Sequence, residues 1–583
     1  MRHIKRHLTL FLLLLIYFLG LISYFNSFSG EFLFDDINTI VKQPDLKNAA
    51  NLRGMWESNK SRFIPYFSYA LNYKLDQYNP SGYHLINFII HILNAWLIFF
   101  LVQRLSKNKF LPILTALFFT VHPIETQAVS YISQRSTLIA AFFYLLSLIL
   151  YLRKNLIYYL LSLLSLVMAL LSKENSFTLP IAVIFTDLFF IRSIKFINRI
   201  LRFIPYFLVT GAVFSFIYLQ GPVQPFAKVT SINMLDNVQI KRSEYLLTQT
   251  RVIVTYVRLM ILPLNQNLDY DFSVSRKLLE PAVIFSTLVI LSLIIIAFKL
   301  RKRKPLISYG IFIFFITLLI ESSIIPIKDV LFEHRLYLPS VGFFLAVSTM
   351  LVTIKNKYFF YGLIIFILIT LTVITYNRNF VWHSEYDLWK DTAGKSPNKA
   401  RVHYNLGVAG YTIGKFEEAK GEFEKTILLD AKYSDAYRNL GAMLEREGKK
   451  SEALDSYEKG LAADYFNSEI RASIAALHSK SGNVEKAIDQ YRIILEYDPD
   501  NAFVHNEMGM AYFMQNKKED AISALEQSVR LDPQFEIALQ NLANIYFHFG
   551  KDESAEKYYL KLLKLNPDNQ QAIYSLEELE KMD

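Results

Sequence analysis

Two adjacent carboxylates, Asp35 and Asp36, stand in the run Glu31-Phe32-Leu33-Phe34-Asp35-Asp36-Ile37-Asn38, just after the first apolar stretch of the chain. Acidic side chains are costly inside lipid, so the pair belongs at the water boundary. A carboxylate can take the proton of an attacking hydroxyl, and a second carboxylate beside it raises one pKa, which suits a general base. A base with a metal-binding neighbour, or a plain helix cap or span terminator, are the other readings of the same pair.

Other polar groups recur at the edges of apolar runs. His122, Glu125 and Arg135 form either a loop-capping network or a set in which Arg135 pairs with a phosphate and His122 with a phosphate or hydroxyl. Lys173 and Glu174 are either a boundary ion pair or, beside an anionic lipid headgroup, a ligand and its positioner. Glu333-His334-Arg335 opens an apolar run, where charges are expensive unless paired or used. The phosphate or diphosphate of a lipid carrier fits Arg335 and His334. Asp269 and Asp271 read as a solvated turn. No cluster has firm metal-ligand spacing, so the cofactor is unknown and a divalent cation stays open.

The elements that must position these groups are membrane helices. Of 583 residues 52% are hydrophobic and 15% aromatic, high for a soluble protein. Residues 1–381 carry 37 Lys+Arg against 17 Asp+Glu, and residues 382–583 carry 25 against 35. The two parts live in different solvents. No aromatic-interleaved basic patch suggests nucleic acid. There is no cysteine, hence no disulfide or thiolate metal site. The basic start and the apolar run 8–28 read as a retained anchor with a cytoplasmic N-terminus.

Spanning-length apolar runs fall at about 8–28, 85–105, 110–130, 136–152, 156–172, 177–191, 203–220, 281–298, 306–325, 337–354 and 358–376. An additional run, 245–263, carries Arg251 and Arg258 on one face and reads as an interfacial helix. Eleven spans put the basic clusters Lys107/Lys109, Arg153/Lys154, Arg192/Lys195/Arg199/Arg202, Arg301–Lys304 and Lys355/Lys357 in the cytoplasm. The outer loops are then 29–84, 122–136, 172–176, 221–280 and 326–336, which hold all the polar groups named above. Charged residues gathered at one end of a bundle suggest one polar cavity.

Beyond a connecting helix expected at 382–399, a period of 34 appears. Pro397, Ala431, Tyr465, Pro499, Pro533 and Pro567 share one register. Ala419, Ala453, Ala487, Ala521 and Ala555 share another. This is the tetratricopeptide signature, with five repeats and a final helix over 400–583. Such an array stacks into a solenoid with a concave groove. Span parity places it on the same outer face as the acidic pair.

Phe34-Asp35-Asp36, Arg62-Phe63-Ile64-Pro65, Asn79-Pro80-Ser81-Gly82-Tyr83-His84, His122-Pro123-Ile124-Glu125, Ser172-Lys173-Glu174 and Glu333-His334-Arg335-Leu336-Tyr337-Leu338-Pro339 occur in this order ahead of the repeats. In this the chain resembles the transmembrane and tetratricopeptide repeat-containing family, whose eukaryotic members are similar to protein O-mannosyltransferases. The resemblance implies a GT-C membrane fold, a lipid-phosphate sugar donor and an acidic catalytic pair, here Asp35 and Asp36. It also implies basic outer-loop residues at the donor phosphate. From the topology these are Arg135, Lys173, His334 and Arg335, supported by His122, Glu125, Glu174 and Glu333. A cysteine-free chain rich in Lys, Ile and Asn reads as prokaryotic, which makes the carrier polyprenyl phosphate.

The expectation is an all-α protein: a GT-C-like membrane bundle of about 11 spans over 1–381, followed by an extracytoplasmic tetratricopeptide-repeat solenoid. It would sit in the inner membrane and move a sugar, mannose among the candidates, from a polyprenyl-phosphate carrier to a Ser or Thr hydroxyl of a protein or peptide acceptor. Transfer to a glycan or lipid, and a non-enzymatic membrane-anchored scaffold, are the alternatives.

Overall fold

The computed structural model describes residues 2–153, 155–191, 196–218, 240–323, 325–327 and 329–582. Lys154, Arg192, Lys195 and parts of the 221–280 and 326–336 loops lie outside the described residues. Among the described residues every regular element is helical. The chain divides into two compact units, Met1–Pro397 and Asn398–Asp583.

In the first unit, all eleven apolar runs contain helices. Six are long and apolar enough to cross a membrane: His7–Ser29, Pro80–Leu105, Ile132–Tyr151, Phe196–Ile217, Pro281–Leu300 and Lys357–Trp382. The other five are shorter, from 11 residues in Leu111–Val121 to 15 in Leu156–Leu170. At 1.5 Å per residue they reach roughly 17–23 Å, short of the ~30 Å hydrocarbon core. The run 110–130 is not one helix because Pro123 follows His122. The residue before a proline is pushed out of the helical region, and His122 takes ψ 129°. A 3-10 turn, Pro123–Glu125, and a short helix, Thr126–Ser130, complete the run. This break keeps the polar 122–135 segment at the end of the bundle. The 245–263 run is the helix Arg242–Ile261, which buries Tyr245, Val252, Tyr256 and Leu259.

Close packing fixes the helix Pro339–Leu351, which carries the Glu333–Leu336 turn at its head. It lies against Pro305–Leu318 with Gly310 facing Gly342. A Cβ on Gly342 would fall 2.8 Å from the Phe314 backbone nitrogen. Small residues permit this approach where hydrophobic driving force between lipid-bathed helices is absent.

The second unit is a stack of helix pairs. First helices begin at Ala400, Ser434, Ser468, Ala502 and Glu536, and second helices at Phe416, Lys450, Val484, Lys518 and Asp552, in the 34-residue register. The turn inside each pair needs a left-handed residue. Gly414, Gly448, Gly482 and Gly550 supply it, and Asn516 (φ 57°) takes the remaining repeat. Between paired helices a small residue lies under a large one. A Cβ on Gly407 would meet the Phe423 ring at 2.7 Å, and one on Gly509 would meet Leu525 at 2.7 Å. Gly441 lies against the Tyr457 ring in the same way.

Gly441→Val therefore overpacks the second repeat and destabilises the array by about 1–3 kcal/mol. Thermal unfolding of the 398–583 fragment followed by circular dichroism checks this, with an unchanged midpoint as the contrary result.

Candidate active site

The acidic pair sits in a turn fixed from several directions. Glu31 N–H donates to the His383 carbonyl (3.0 Å), Phe34 N–H to Glu385 Oε1 (3.0 Å) and Asp35 N–H to the Tyr131 hydroxyl (2.9 Å). Phe34 has φ 47°, a conformation that is strained for a bulky residue and persists only where its surroundings hold it. Glu385 and an edge-on Trp389 ring 5.3 Å away do so.

The turn separates the two carboxylates. Asp35 is exposed, whereas Asp36 is fully buried. Asp36 Oδ2 accepts from Leu33 N–H (3.0 Å) and Oδ1 from Ser133 N–H (2.7 Å). Burial pushes its carboxyl up to about 7, and the two N–H donors oppose that rise. Asp36 thereby stitches the 29–84 loop to the Tyr131–Gln134 turn that starts the helix Arg135–Tyr151.

Arg135 is buried directly behind this turn. Its Nε donates to Asn87 Oδ1 (2.7 Å), Nη2 to the Tyr83 carbonyl (3.0 Å) and Nη1 to the Ser68 carbonyl (3.3 Å). The Tyr69 ring lies 4.7 Å from the guanidinium carbon. In this arrangement Arg135 ties three segments together from inside the protein.

A second group forms around Lys173. Its Nζ lies 3.1 Å from Glu321 Oε1 and donates to Thr137 Oγ1 at 3.0 Å. Burial holds the ammonium below its usual range, and Glu321 partly offsets this. Arg62 Nη2 is 3.6 Å from Glu174 Oε2. Burial raises the Glu174 carboxyl, but Arg62, its own backbone N–H, Lys173 and the Ser61 hydroxyl together outweigh it and the net shift is downward. His334 is driven well below the usual imidazole range by burial and by the positive charges of Lys173, Arg335 and Arg62. Its backbone N–H donates to Gln127 Oε1 (2.7 Å), while its buried Nδ1 has no hydrogen-bond partner. Arg335 donates from Nη2 to the Asp329 carbonyl (2.7 Å) and from Nη1 to the Val330 carbonyl (3.2 Å). The Tyr69 hydroxyl donates to the Ile132 and Ser133 carbonyls (3.1 Å each), so it braces the segment that Asp36 also engages.

The remaining residues anchor loops. His122 Nε2 donates to the Met260 carbonyl (3.1 Å), and Nδ1 accepts from Ile124 N–H (3.1 Å); burial pushes this imidazole down to about 3. Glu125 is fully buried, and its carboxyl is raised well above the usual range by that burial, with the Ser340 hydroxyl a partial offset. Glu333 receives Gln266 Nε2 (2.7 Å), Asn267 N–H (2.7 Å) and the Tyr270 hydroxyl (2.6 Å), which fixes the 265–271 segment. Asn267 and Asp271 N–H in turn hydrogen-bond Ser396. Among the described residues no three His, Asp or Glu side chains gather where they could hold a metal ion.

Sequence reasoning missed Glu321 and the roles of Arg62 and Tyr131. Glu321 lay inside the apolar run 306–325, where an acidic residue is itself a signal. Arg62 was visible within a motif but had no assigned partner until Glu174 was placed beside it.

The chain matches the tetratricopeptide repeat family over residues 404–468, 473–534 and 506–570. It is 26% identical over 450 residues to protein O-mannosyl-transferase F38B6.6 of Caenorhabditis elegans, covering 72% of this chain and 63% of that protein. It is 27% identical over 496 residues to human protein O-mannosyl-transferase TMTC1, covering 72% and 55%. Human TMTC3 is 24% identical over 482 residues, covering 72% and 51%. The matched region thus spans about half to two thirds of the length of these relatives. Among solved structures, YrrB, a TPR protein with an unusual peptide-binding site, is 19% identical, with 33% of this chain and 99% of that chain covered and a TM-score of 0.27. The chain is a tetratricopeptide-repeat protein and a relative of the protein O-mannosyl-transferases of the TMTC group.

Proposed function

We propose that the protein is a membrane glycosyltransferase that moves a sugar from a polyprenyl-phosphate carrier to a Ser or Thr hydroxyl of a polypeptide. The observation that carries this reading is an exposed carboxylate, Asp35, held in a strained, multiply anchored turn that Asp36 ties to Ser133, at the head of the helix whose Thr137 holds Lys173, with Arg62, Arg335 and His334 around it. The names of the relatives supply the reaction class. Asp35 takes the acceptor hydroxyl proton. The acceptor oxygen attacks the anomeric carbon as the carbon–oxygen bond to phosphate breaks, and the bonding electrons leave on the phosphate oxygen. A single displacement inverts the anomeric configuration. Lys173, Arg335 and Arg62 oppose the charge that gathers on the departing phosphate, and His334 is the further donor-phosphate ligand of the proposal. Asp36 and Arg135 act as positioning groups through the turn. Glu333 and His122 hold the surrounding loops, Glu174 pairs with Arg62, and Glu125 lies fully buried. The repeat unit offers a surface for the acceptor, and its occupancy is part of the proposal.

The reading is tested by incubating purified protein with radiolabelled polyprenyl-phosphate mannose and other lipid-phosphate sugars, together with Ser/Thr peptides. Asp35→Asn should lower transfer by about 10²–10⁴-fold with folding intact. Transfer by Asp35→Asn at the wild-type rate would sink the assignment of the base.

Asp36 gives a separate signature. Its folded pKa is raised from 3.8 to about 7. Its contribution to stability is therefore fully present below pH 3.8 and is lost as pH rises through about 7. Asp36→Asn removes this titration. Thermal midpoints of wild type should fall relative to those of Asp36→Asn between pH 4 and 7, and parallel curves would contradict the burial argument.

Lys173 and Glu321 separate structure from ligand binding. Lys173→Met alone strands a buried carboxylate and costs about 3–5 kcal/mol. Lys173→Met with Glu321→Leu restores most of that loss but not donor affinity. Denaturant midpoints and donor KM, measured together on both variants, distinguish the two effects.

A further inference from the structure

The helices that begin at the candidate active site end at a second polar feature. Pro80–Leu105 runs from Asn87 to Arg104, and Arg135–Tyr151 runs from Arg135 to Tyr151. At 1.5 Å per residue each leg is about 25 Å, close to the thickness of a hydrocarbon core. At this far end lies a cavity of about 890 Å³, lined by Arg104, Arg153 and Arg202 with Tyr151, Tyr159 and Asn155, and with no carboxylate among the described residues of its wall. The size suits a single small ligand or headgroup.

The charge here is poorly neutralised. Asp187, behind the wall, is engaged by Arg199 at 2.5 Å, by the Tyr151 hydroxyl at 2.7 Å and by Arg202 at 4.0 Å. Arg202 also lies 4.7 Å from the Tyr151 ring centre, which fixes its direction. Arg104 and Arg153 repel one another across the opening. Neither has a carboxylate partner among the described residues. The rim is apolar: Leu156 and Leu201 are 70% and 58% exposed. Three guanidiniums around a concavity with greasy lips match a phosphate carried on an acyl chain better than a freely soluble anion.

We propose that this cavity is a binding site for the phosphate headgroup of an anionic membrane lipid, separate from the candidate active site and about one membrane thickness from it. Arg104, Arg153 and Arg202 hold the phosphate, and the acyl chains lie along Leu156 and Leu201. The proposal does not rest on the transferase reading.

The test is native mass spectrometry of the delipidated full-length protein titrated with phosphatidylglycerol or phosphatidylcholine of the same acyl chains. Wild type should retain phosphatidylglycerol selectively. The double substitution Arg104→Gln/Arg153→Gln, both at exposed positions, should weaken it by roughly 30-fold, as expected for losing two basic groups beside an anionic headgroup, with thermal stability kept. The control Lys355→Gln/Lys357→Gln removes equal charge elsewhere and should leave binding unchanged. Equal binding of both lipids, or equal loss in the control, overturns the site. Displacement of phosphatidylglycerol by inorganic phosphate at the same concentration overturns the lipid and leaves a soluble phosphate as the ligand.

Discussion

A charge taken out of water must find a partner, because the desolvation cost is several kcal/mol per ion even after the protein relaxes. The end of this bundle is shaped by that constraint. Lys173 is buried, and Glu321 comes to it from the end of a different helix. Asp36 is buried, and two backbone N–H groups from two loops converge on it. Glu333 is buried, and three donors from the 265–271 segment close on it. Each carboxylate or ammonium thereby becomes a knot between segments distant in sequence. The outer loops are fixed by polar knots where the lipid-facing surfaces of the helices offer no hydrophobic drive to fix them.

The same accounting divides the polar residues into two kinds. Arg135 directs its donors to Asn87, Ser68 and Tyr83, and both ring nitrogens of His122 serve the Met260 carbonyl and the Ile124 N–H. Such groups hold the frame and have little capacity left for a substrate. Asp35 is open to solvent, Arg62 is partly exposed and His334 has a buried nitrogen without a partner. A buried polar atom left unmatched costs about 1–3 kcal/mol, which sets the His334 ring apart from the fully engaged ring of His122. Basic residues that look alike in sequence thus separate by hydrogen-bond inventory.

That separation shows why the repeat array was readable in advance and the site less so. The solenoid is built from contacts within 34 residues. Gly407 under Phe423 and Gly414 in its turn are therefore visible as a period in the chain itself. The site is built from contacts such as Tyr131 to Asp35 and Lys173 to Glu321, which span 96 and 148 positions. Residue type and a place at the edge of an apolar run were enough to mark Asp35, Asp36, Lys173, His334 and Arg335 as a group worth joining. They could not tell an exposed aspartate from its buried neighbour, since that difference comes from the Phe34 backbone and from Glu385, 351 residues away. Nor does hydropathy measure helix length when a proline cuts the run, as at Pro123.

Asp36 shows how the constraint reaches chemistry. Its carboxyl group accepts from the turn that precedes Arg135 and from Leu33 N–H. Ionisation there sets a charge in a site that water does not reach, and this destabilises the fold as pH rises through about 7. Burial pulls towards the neutral acid and the two N–H donors towards the anion, which leaves the balance close to neutral pH rather than near the pKa of a free carboxyl. Asp35, next in the chain, stands on a turn whose rigidity therefore depends on the protonation of a neighbour that water does not reach. The Tyr131 hydroxyl, the Glu385 carboxylate and the Ser133 N–H together determine where the turn that carries Asp35 points.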